Sequence, residues 1–179
     1  MQQVIVVSGH LVDTPDRAVP RFPETRVPWV TGRVEAVFDE WQVAPSTTLI
    51  CGGARGADII AAEAALARGA RTVVCLALPP DRFAEQSVDL PGTDWVARFR
   101  RLLDVADVRE LSDPPAGDAV FARTNEWMVD LARSMHPEPR ALLIWNGRAG
   151  DGVGGTADMV DRLGYDRDDP RVRIIDPTP

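Results

Sequence analysis

The chain has 179 residues, 45% of them hydrophobic and 26% charged, and this length supports one domain with a substantial core. Its net charge of -7 has the wrong sign for broad electrostatic binding to DNA or to an anionic membrane surface. All 20 basic residues are arginines, and the lack of lysine excludes a phosphate-loop NTPase and any lysine Schiff-base enzyme.

The predicted elements alternate between apolar, β-branched runs and segments of helical period, which is the pattern of a parallel α/β sheet. In chain order, the predicted strands are residues 4–7, 47–51, 71–78, 108–111, 141–145 and 172–175. The predicted helices lie near residues 30–41, 58–69, 94–106, 118–135 and 156–163. The sequence therefore predicts a single Rossmann-like α/β domain over residues 1–179, with a mainly parallel sheet and helices on both faces.

The two cysteines, Cys51 and Cys75, lie inside apolar runs and lack the spacing of metal ligands, and the chain has only two histidines. We therefore expect no metal site and no permanently bound cofactor. No apolar stretch approaches the roughly 20 residues of a membrane-spanning helix, and the N terminus lacks the basic segment of a signal peptide. These features predict a soluble, cytoplasmic protein without a membrane partner.

A long proline-rich loop (residues 11–27) follows the first predicted strand. A loop of this length over a compact domain is more often functional than accidental. Its charged residues Asp13, Arg17 and Arg21 could fold over a cleft as a lid, or salt bridges could pin the loop to its own surface. The sequence does not choose between these alternatives.

The main chemical signal is a glycine-rich turn between a buried strand and a helix, and it occurs twice, at residues 51–58 and at residues 147–158. The candidate ligand-binding residues are Gly52, Gly53 and Gly56 in the first turn, and Gly152, Gly154, Gly155 and Thr156 in the second. Glycine lets the backbone approach a ligand closely, and the start of a helix offers unpaired N–H groups to a phosphate.

Ligands of open α/β sheets bind beyond the carboxyl ends of the strands, where both glycine-rich turns would meet. We therefore expect a nucleotide-sized anionic ligand between them. The alternative is that both are tight turns and helix caps without a ligand.

Further candidates lie near these turns. Ser8, Gly9 and His10 end the first strand, although a lone histidine is more often a loop hydrogen-bonding residue than a base. Arg55 stands between glycines, so its long side chain is expected to point outward into the cleft. Asp58 is expected to cap its own helix, with binding of a ribose hydroxyl as the alternative.

The whole chain resembles the SLOG superfamily, on motifs at residues 8–10, 13–17, 21–23 and 150–157. This superfamily unites the Lonely-guy cytokinin-activating enzymes, the DNA-processing protein A family and nucleotide-sensing domains of bacterial signalling and defence proteins. The resemblance implies a Rossmann-like sheet and a nucleotide or nucleotide-derived ligand.

A narrower resemblance connects residues 153–158 and 121–128 with the Lonely-guy phosphoribohydrolases, which cleave the N-glycosidic bond of nucleoside 5′-monophosphates. It implies Arg123 and Asp158 as catalytic residues, although the proline-led glycine motif is altered and Asp158 replaces a glutamate. The alternative interpretation gives both residues a structural role: Asp158 complements the dipole of its helix, and Arg123 pairs with Glu126 on the surface.

Three functions follow from these observations. The leading hypothesis is a nucleotide sensor that acts on a separate effector protein. The second is a nucleoside-monophosphate N-glycosidase, and the third, single-stranded DNA binding, is disfavoured by the acidic charge and the lack of a basic stripe. A homodimer is compatible with the resemblance, but no interface is evident in the sequence.

Overall fold

Strands and helices follow one another along the chain in the computed structural model, which describes residues 2–150 and 153–179. The strands are β1 (Gln3–Gly9), β2 (Thr47–Cys51), β3 (Arg71–Leu76), β4 (Asp107–Glu110), β5 (Arg140–Ile144) and β6 (Val172–Ile175). The helices are α1 (Val27–Glu40), α2 (Ala57–Ala67), α3 (Pro80–Phe83), α4 (Trp95–Val105), α5 (Ala119–Met135) and α6 (Thr156–Leu163). A 3-10 turn (Glu24–Arg26) precedes α1, and a π-helical turn (Ala84–Val88) follows α3.

The six strands form one sheet in the order β4-β3-β2-β1-β5-β6, and every neighbouring pair is parallel. The chain moves outward from β1 through β2 and β3 to β4, returns through α5 to β5 on the other side of β1, and ends at β6. The strand order therefore reverses between β1 and β5. In open α/β sheets this reversal opens a crevice at the carboxyl ends of the strands.

Two apolar cores cover the two faces of the sheet. On β1, Ile5 and Val7 belong to the core that contains α1, α2 and α4, whereas Val4 and Val6 belong to the core of α5 and α6. Because both faces are covered, the strand reads as a continuous apolar run and not as an alternating one. The α/β fold class with helices on both faces, as expected from the sequence, is confirmed.

The sequence analysis missed the helical segment that follows β3. No helix was predicted between the strand at residues 71–78 and the helix near residue 94, but Pro80 occupies the first turn of α3, where its missing N–H costs nothing. The π-helical turn continues directly from α3. In the described part of the chain, no helix has the length and apolar character needed to cross a membrane.

Candidate ligand-binding site

A cavity of about 350 Å³ lies at the carboxyl ends of the central strands. Its wall includes residues of both glycine-rich turns and of the end of β1, where the strand order reverses. The predicted site residues that line it are Ser8, Gly9, His10, Gly52, Asp58, Gly154, Gly155 and Thr156. The two turns, about a hundred residues apart in sequence, therefore meet at one cavity, as the parallel topology requires.

Gly9 allows the segments around the cavity to approach one another. A Cβ atom at this position would lie 2.5 Å from the Ala57 Cβ and 2.5 Å from the Ile144 carbonyl oxygen. Only glycine therefore lets the start of α2 and the end of β5 pack against the end of β1. Ser8, one residue earlier, donates a long hydrogen bond of 3.4 Å from its hydroxyl to that of Thr156.

His10 is buried at the end of β1, and its ring is held by the loop after β5. The distance from His10 Nε2 to Asn146 Oδ1 is 3.1 Å. Burial lowers the pKa of His10, against the opposing effect of the Asn146 contact. The imidazole is therefore neutral at pH 7 and serves as a hydrogen-bonding group in the cavity wall.

The first glycine-rich turn is closed by Asp58 and not by an incoming anion. Asp58 Oδ2 accepts the backbone N–H of Ala54 at 3.1 Å, and the carboxylate also accepts the N–H of Gly52. The helix N-cap is Gly56, so the expectation that Asp58 caps α2 is wrong: its carboxylate bonds residues of the turn before the helix. Two amides of a turn that was expected to contact an anionic ligand are therefore already occupied.

Burial dominates the electrostatics of Asp58. It raises the pKa of this carboxyl to about 7, although the two backbone hydrogen bonds favour the ionised form. The group therefore changes its protonation near neutral pH while lining the cavity. A perturbed carboxyl in a cleft is a common feature of functional sites.

Gly53 and Gly56 shape the first turn from outside the cavity wall. Both have a positive φ, +82° and +92° respectively. A Cβ atom on Gly56 would lie 2.8 Å from the His10 carbonyl oxygen, so this glycine lets the turn pack against the segment after β1. Their roles are conformational, and their side-chain positions do not face the cavity.

Arg55 does not point into the cavity, and that expectation is wrong. The residue is 8% exposed; its Nε donates to the Val12 carbonyl at 2.8 Å and its Nη1 to the Asp89 carbonyl at 3.1 Å. A buried guanidinium requires such acceptors, and these two loops provide them. Arg55 therefore connects the first glycine-rich turn to the proline-rich loop and to the segment after the π-helical turn.

The second glycine-rich turn is fixed against α5. Gly154 has a φ of +83° and lies so close to α5 that a Cβ would be 2.2 Å from the backbone nitrogen of Ala122. Asn125 Nδ2 donates to the carbonyls of Gly154 and Gly155 at 2.8 and 3.1 Å. Gly152, also predicted for this site, lies outside the described residues.

The candidate catalytic residues, Arg123 and Asp158, form ion pairs and hydrogen bonds with protein side chains. Arg123 is 49% exposed and pairs with Glu126 at 2.9 Å. Asp158 Oδ2 accepts hydrogen bonds from Arg162 at 2.8 Å and Asn125 at 2.9 Å. Neither residue is among the described residues that line the cavity, and their catalytic roles stay predictions from the resemblance.

The proline-rich loop is pinned by its own residues and also reaches the cavity. Asp13 accepts the backbone N–H groups of Arg21 and Phe22, both at 2.8 Å, and the Phe22 ring is fully buried. The Arg21 side chain lines the cavity, where its charge lowers the pKa of His10. The loop is thus pinned to its own surface, as in the second alternative, and it also contributes a cation to the cavity wall.

Sequence reasoning missed two parts of the wall. Phe121, Asn125 and Met128 line the cavity from α5, and the segment after β3 contributes Gln86 and Ser87. A signal for the first part was available, because Asn125 interrupts an apolar stripe with the i, i+4, i+7 spacing of one helix face. A buried amide in such a stripe indicates a hydrogen-bonding task.

Trp145 adds an aromatic surface at the end of β5. It lines the cavity, and its indole N–H donates to the Arg148 carbonyl at 2.6 Å. The end of β5, next to the second glycine-rich turn, thus places a large ring in the wall. Among residues 2–150 and 153–179, no group of three or more His, Cys, Asp or Glu side chains could hold a metal ion.

Comparisons with known proteins concern the fold. No protein-family model and no curated protein sequence matches the chain. A structure search matches TM1055, a structural genomics target, at 12% identity and a TM-score of 0.47, over 90% of this chain and 68% of that one.

Two further solved structures match at similarly low identity. DNA processing protein A (DprA) from Streptococcus pneumoniae matches at 14% identity and a TM-score of 0.44, over 97% of this chain and 58% of that one. The Moco carrier protein from Chlamydomonas reinhardtii matches at 13% identity and a TM-score of 0.34, over 97% and 89% of the two chains. The chain itself has the Rossmann-like α/β architecture that its resemblance to the SLOG superfamily implied.

Proposed function

We propose that this protein binds a nucleotide or nucleotide-derived ligand between its two glycine-rich turns and acts as a cytoplasmic sensor. The observation that carries the proposal is the shared cavity: the end of β1, the first turn and the second turn all line it. Its volume of about 350 Å³ lies at the lower end of the range for ligand pockets, which favours a mononucleotide-sized molecule.

The phosphate of this ligand is proposed to sit at the second glycine-rich turn. In the first turn, Asp58 already occupies the amides of Ala54 and Gly52, and its charge would repel a phosphate. The N-cap of α6 is Gly155, and among the described residues no side chain caps this helix by a hydrogen bond. The start of α6, the Thr156 hydroxyl and the Arg21 cation therefore favour an anion here.

The base is proposed to contact the apolar part of the wall. Phe83, Phe121, Met128 and Trp145 line the cavity from α3, α5 and the end of β5. Aromatic rings and methionine offer broad surfaces to the face of a base, without selecting one base from another. This wall supports a nucleotide rather than a free phosphate as the ligand.

A sensing role is favoured over hydrolysis because the candidate catalytic pair is engaged elsewhere. Arg123 forms a surface ion pair with Glu126, and Asp158 is held by Arg162 and Asn125. A sensor requires a partner that responds to the ligand, and we propose a separate effector protein. The N-glycosidase function is the alternative, and release of free base would support it.

The position of the phosphate is testable at Gly155. This residue has a φ of -79°, and a Cβ atom there meets no heavy atom within 4 Å, so a side chain is sterically tolerated. We expect Gly155→Asp, which places a carboxylate at the start of α6, to weaken binding of AMP or GMP at least about tenfold. Gly155→Asn is the matched control, because it is equally good at an N-cap but carries no charge.

Binding is measured by calorimetry on both variants, together with their thermal unfolding. Equal affinity of the Asp and Asn variants would contradict a phosphate at this turn. In parallel, small molecules extracted from the purified protein are identified by mass spectrometry, and the protein is incubated with a nucleotide panel. An intact bound nucleotide supports the sensor, whereas release of ribose phosphate and free base supports the glycosidase.

A further inference from the structure

Among the described residues that line the cavity, Asp58 is the one acidic side chain, and a phosphate site does not need it. Asp58 lies at the start of α2, lines the cavity, and is only partly engaged by the amides of Ala54 and Gly52. An ionised carboxylate has about four acceptor positions, of which these two bonds use two. The remaining acceptor capacity is available to a molecule in the cavity.

We propose that Asp58 accepts hydrogen bonds from a pair of neighbouring neutral donors on the ligand. Two parts of a nucleotide carry such a pair: the vicinal hydroxyls of ribose and the N–H groups on the edge of guanine. The inference rests on the proposed function and deepens it, because it assigns a different chemical group of the ligand to each glycine-rich turn. The second turn receives the anionic group, and the first receives a group that donates hydrogen bonds.

The surroundings of Asp58 support a neutral partner. In the described part of the chain, the titratable and charged groups around it are the thiols of Cys51 and Cys75, the neutral imidazole of His10 and, across the cavity, Arg21. Burial raises the pKa of both thiols, to about 12 for Cys75, so they are uncharged at pH 7. In such surroundings, donors from the ligand compensate a carboxylate that burial disfavours.

Binding of such donors is coupled to the release of a proton from Asp58. Burial raises the pKa of Asp58 to about 7 in the empty cavity, so the carboxyl is partly protonated at neutral pH. Two ligand donors stabilise the ionised form and lower the pKa, and binding at pH 7 then releases part of a proton from this group. The ligand phosphate also titrates near this pH, so the contribution of Asp58 is found by comparison with a variant.

The test uses the full chain with Asp58→Asn, which keeps the shape and removes the charge. Asp104→Asn is the matched control, because it makes the same change at an exposed position of α4. Calorimetry with AMP, GMP, 2′-deoxy-AMP and 2′-deoxy-GMP is carried out in two buffers that differ in ionisation enthalpy, which gives affinity and proton release together. Thermal unfolding shows that each variant is folded.

We expect Asp58→Asn to weaken binding about tenfold and to reduce proton release, while Asp104→Asn changes neither. If Asp58→Asn loses affinity only for AMP and GMP, the ribose hydroxyls are the donors. If it loses affinity for GMP and 2′-deoxy-GMP, the donors are the N–H groups of the guanine edge. Unchanged affinity and unchanged proton release in Asp58→Asn, with the nucleotides still bound, overturn this inference alone. Failure of the unaltered protein to bind any of the four nucleotides overturns the proposed function, and this inference with it.

Discussion

Gly154 offers the sharpest test of how the second glycine-rich turn is held in place. Its φ of +83° lies in the left-handed region, and the turn packs directly on the backbone of α5. A Cβ atom would lie 2.2 Å from the Ala122 nitrogen and 2.4 Å from the Phe121 carbonyl carbon. Because these are helix backbone atoms, no side-chain rotation can relieve the overlap. Gly154→Ala must therefore move the turn away from α5.

Two terms add to the cost of this substitution. Placing alanine in the left-handed region costs about 1–2 kcal/mol. Forcing an extra methyl group into a closely packed position adds about 1–3 kcal/mol. We therefore expect Gly154→Ala to lower the free energy of unfolding by about 2–5 kcal/mol, with the lower end applying if the loop shifts freely.

The assay is urea denaturation, with Gly155→Ala as the matched control in the same turn. Gly155 has a φ of -79°, and the space around its Cβ position is open. This control should stay within about 1 kcal/mol of the unaltered protein. A difference of less than about 1 kcal/mol between the two variants would refute the reasoning that the turn is packed on α5.

Three further substitutions test other parts of the site. Arg55→Ala removes the donor to the carbonyls of Val12 and Asp89 and should destabilise the fold by about 2–4 kcal/mol in urea denaturation, whereas Arg100→Ala, at an exposed position, should have little effect. Arg123→Ala should change the free energy of unfolding by less than about 0.5 kcal/mol and leave nucleotide affinity unchanged. A large loss of affinity would indicate that Arg123 contacts the ligand. The folded-state pKa of Asp58 lies above its unfolded value, so its contribution to stability is full below about pH 4 and is lost as the pH rises through about 7. Asp58→Asn should flatten this dependence, and an unchanged pH profile of unfolding would contradict the raised pKa.

The fold was predictable because its signals are local. β1 and β5 are covered on both faces, so each reads as a short continuous apolar run. α5 and α6 carry clear apolar stripes between turn residues. The helical segment at Pro80–Val88 escaped prediction because it is short and begins with proline, which resembles the end of a strand more than the start of a helix.

The cavity wall was only partly predictable, because side-chain direction depends on distant partners. Arg55 was expected in the cleft from its glycine neighbours, but the carbonyls that hold it lie 43 and 34 residues away in sequence. Asn125 likewise bonds residues 29 to 33 positions away. A buried polar group is placed by the acceptors it finds after folding, and local sequence does not contain them.

The two glycine-rich turns show how similar sequences acquire different chemistry. Each is followed by an aspartate in the first turn of its helix, Asp58 in α2 and Asp158 in α6. Asp58 turns back onto the amides of its own turn, whereas Asp158 is held by Asn125 and Arg162. The Asp58 carboxylate thereby occupies amides of the first turn, whereas the proposed function assigns the ligand's anionic group to the start of α6. Under the proposed function, the hydrogen-bond partners of each aspartate, and not the spacing of the glycines, determine which of the two turns receives the phosphate.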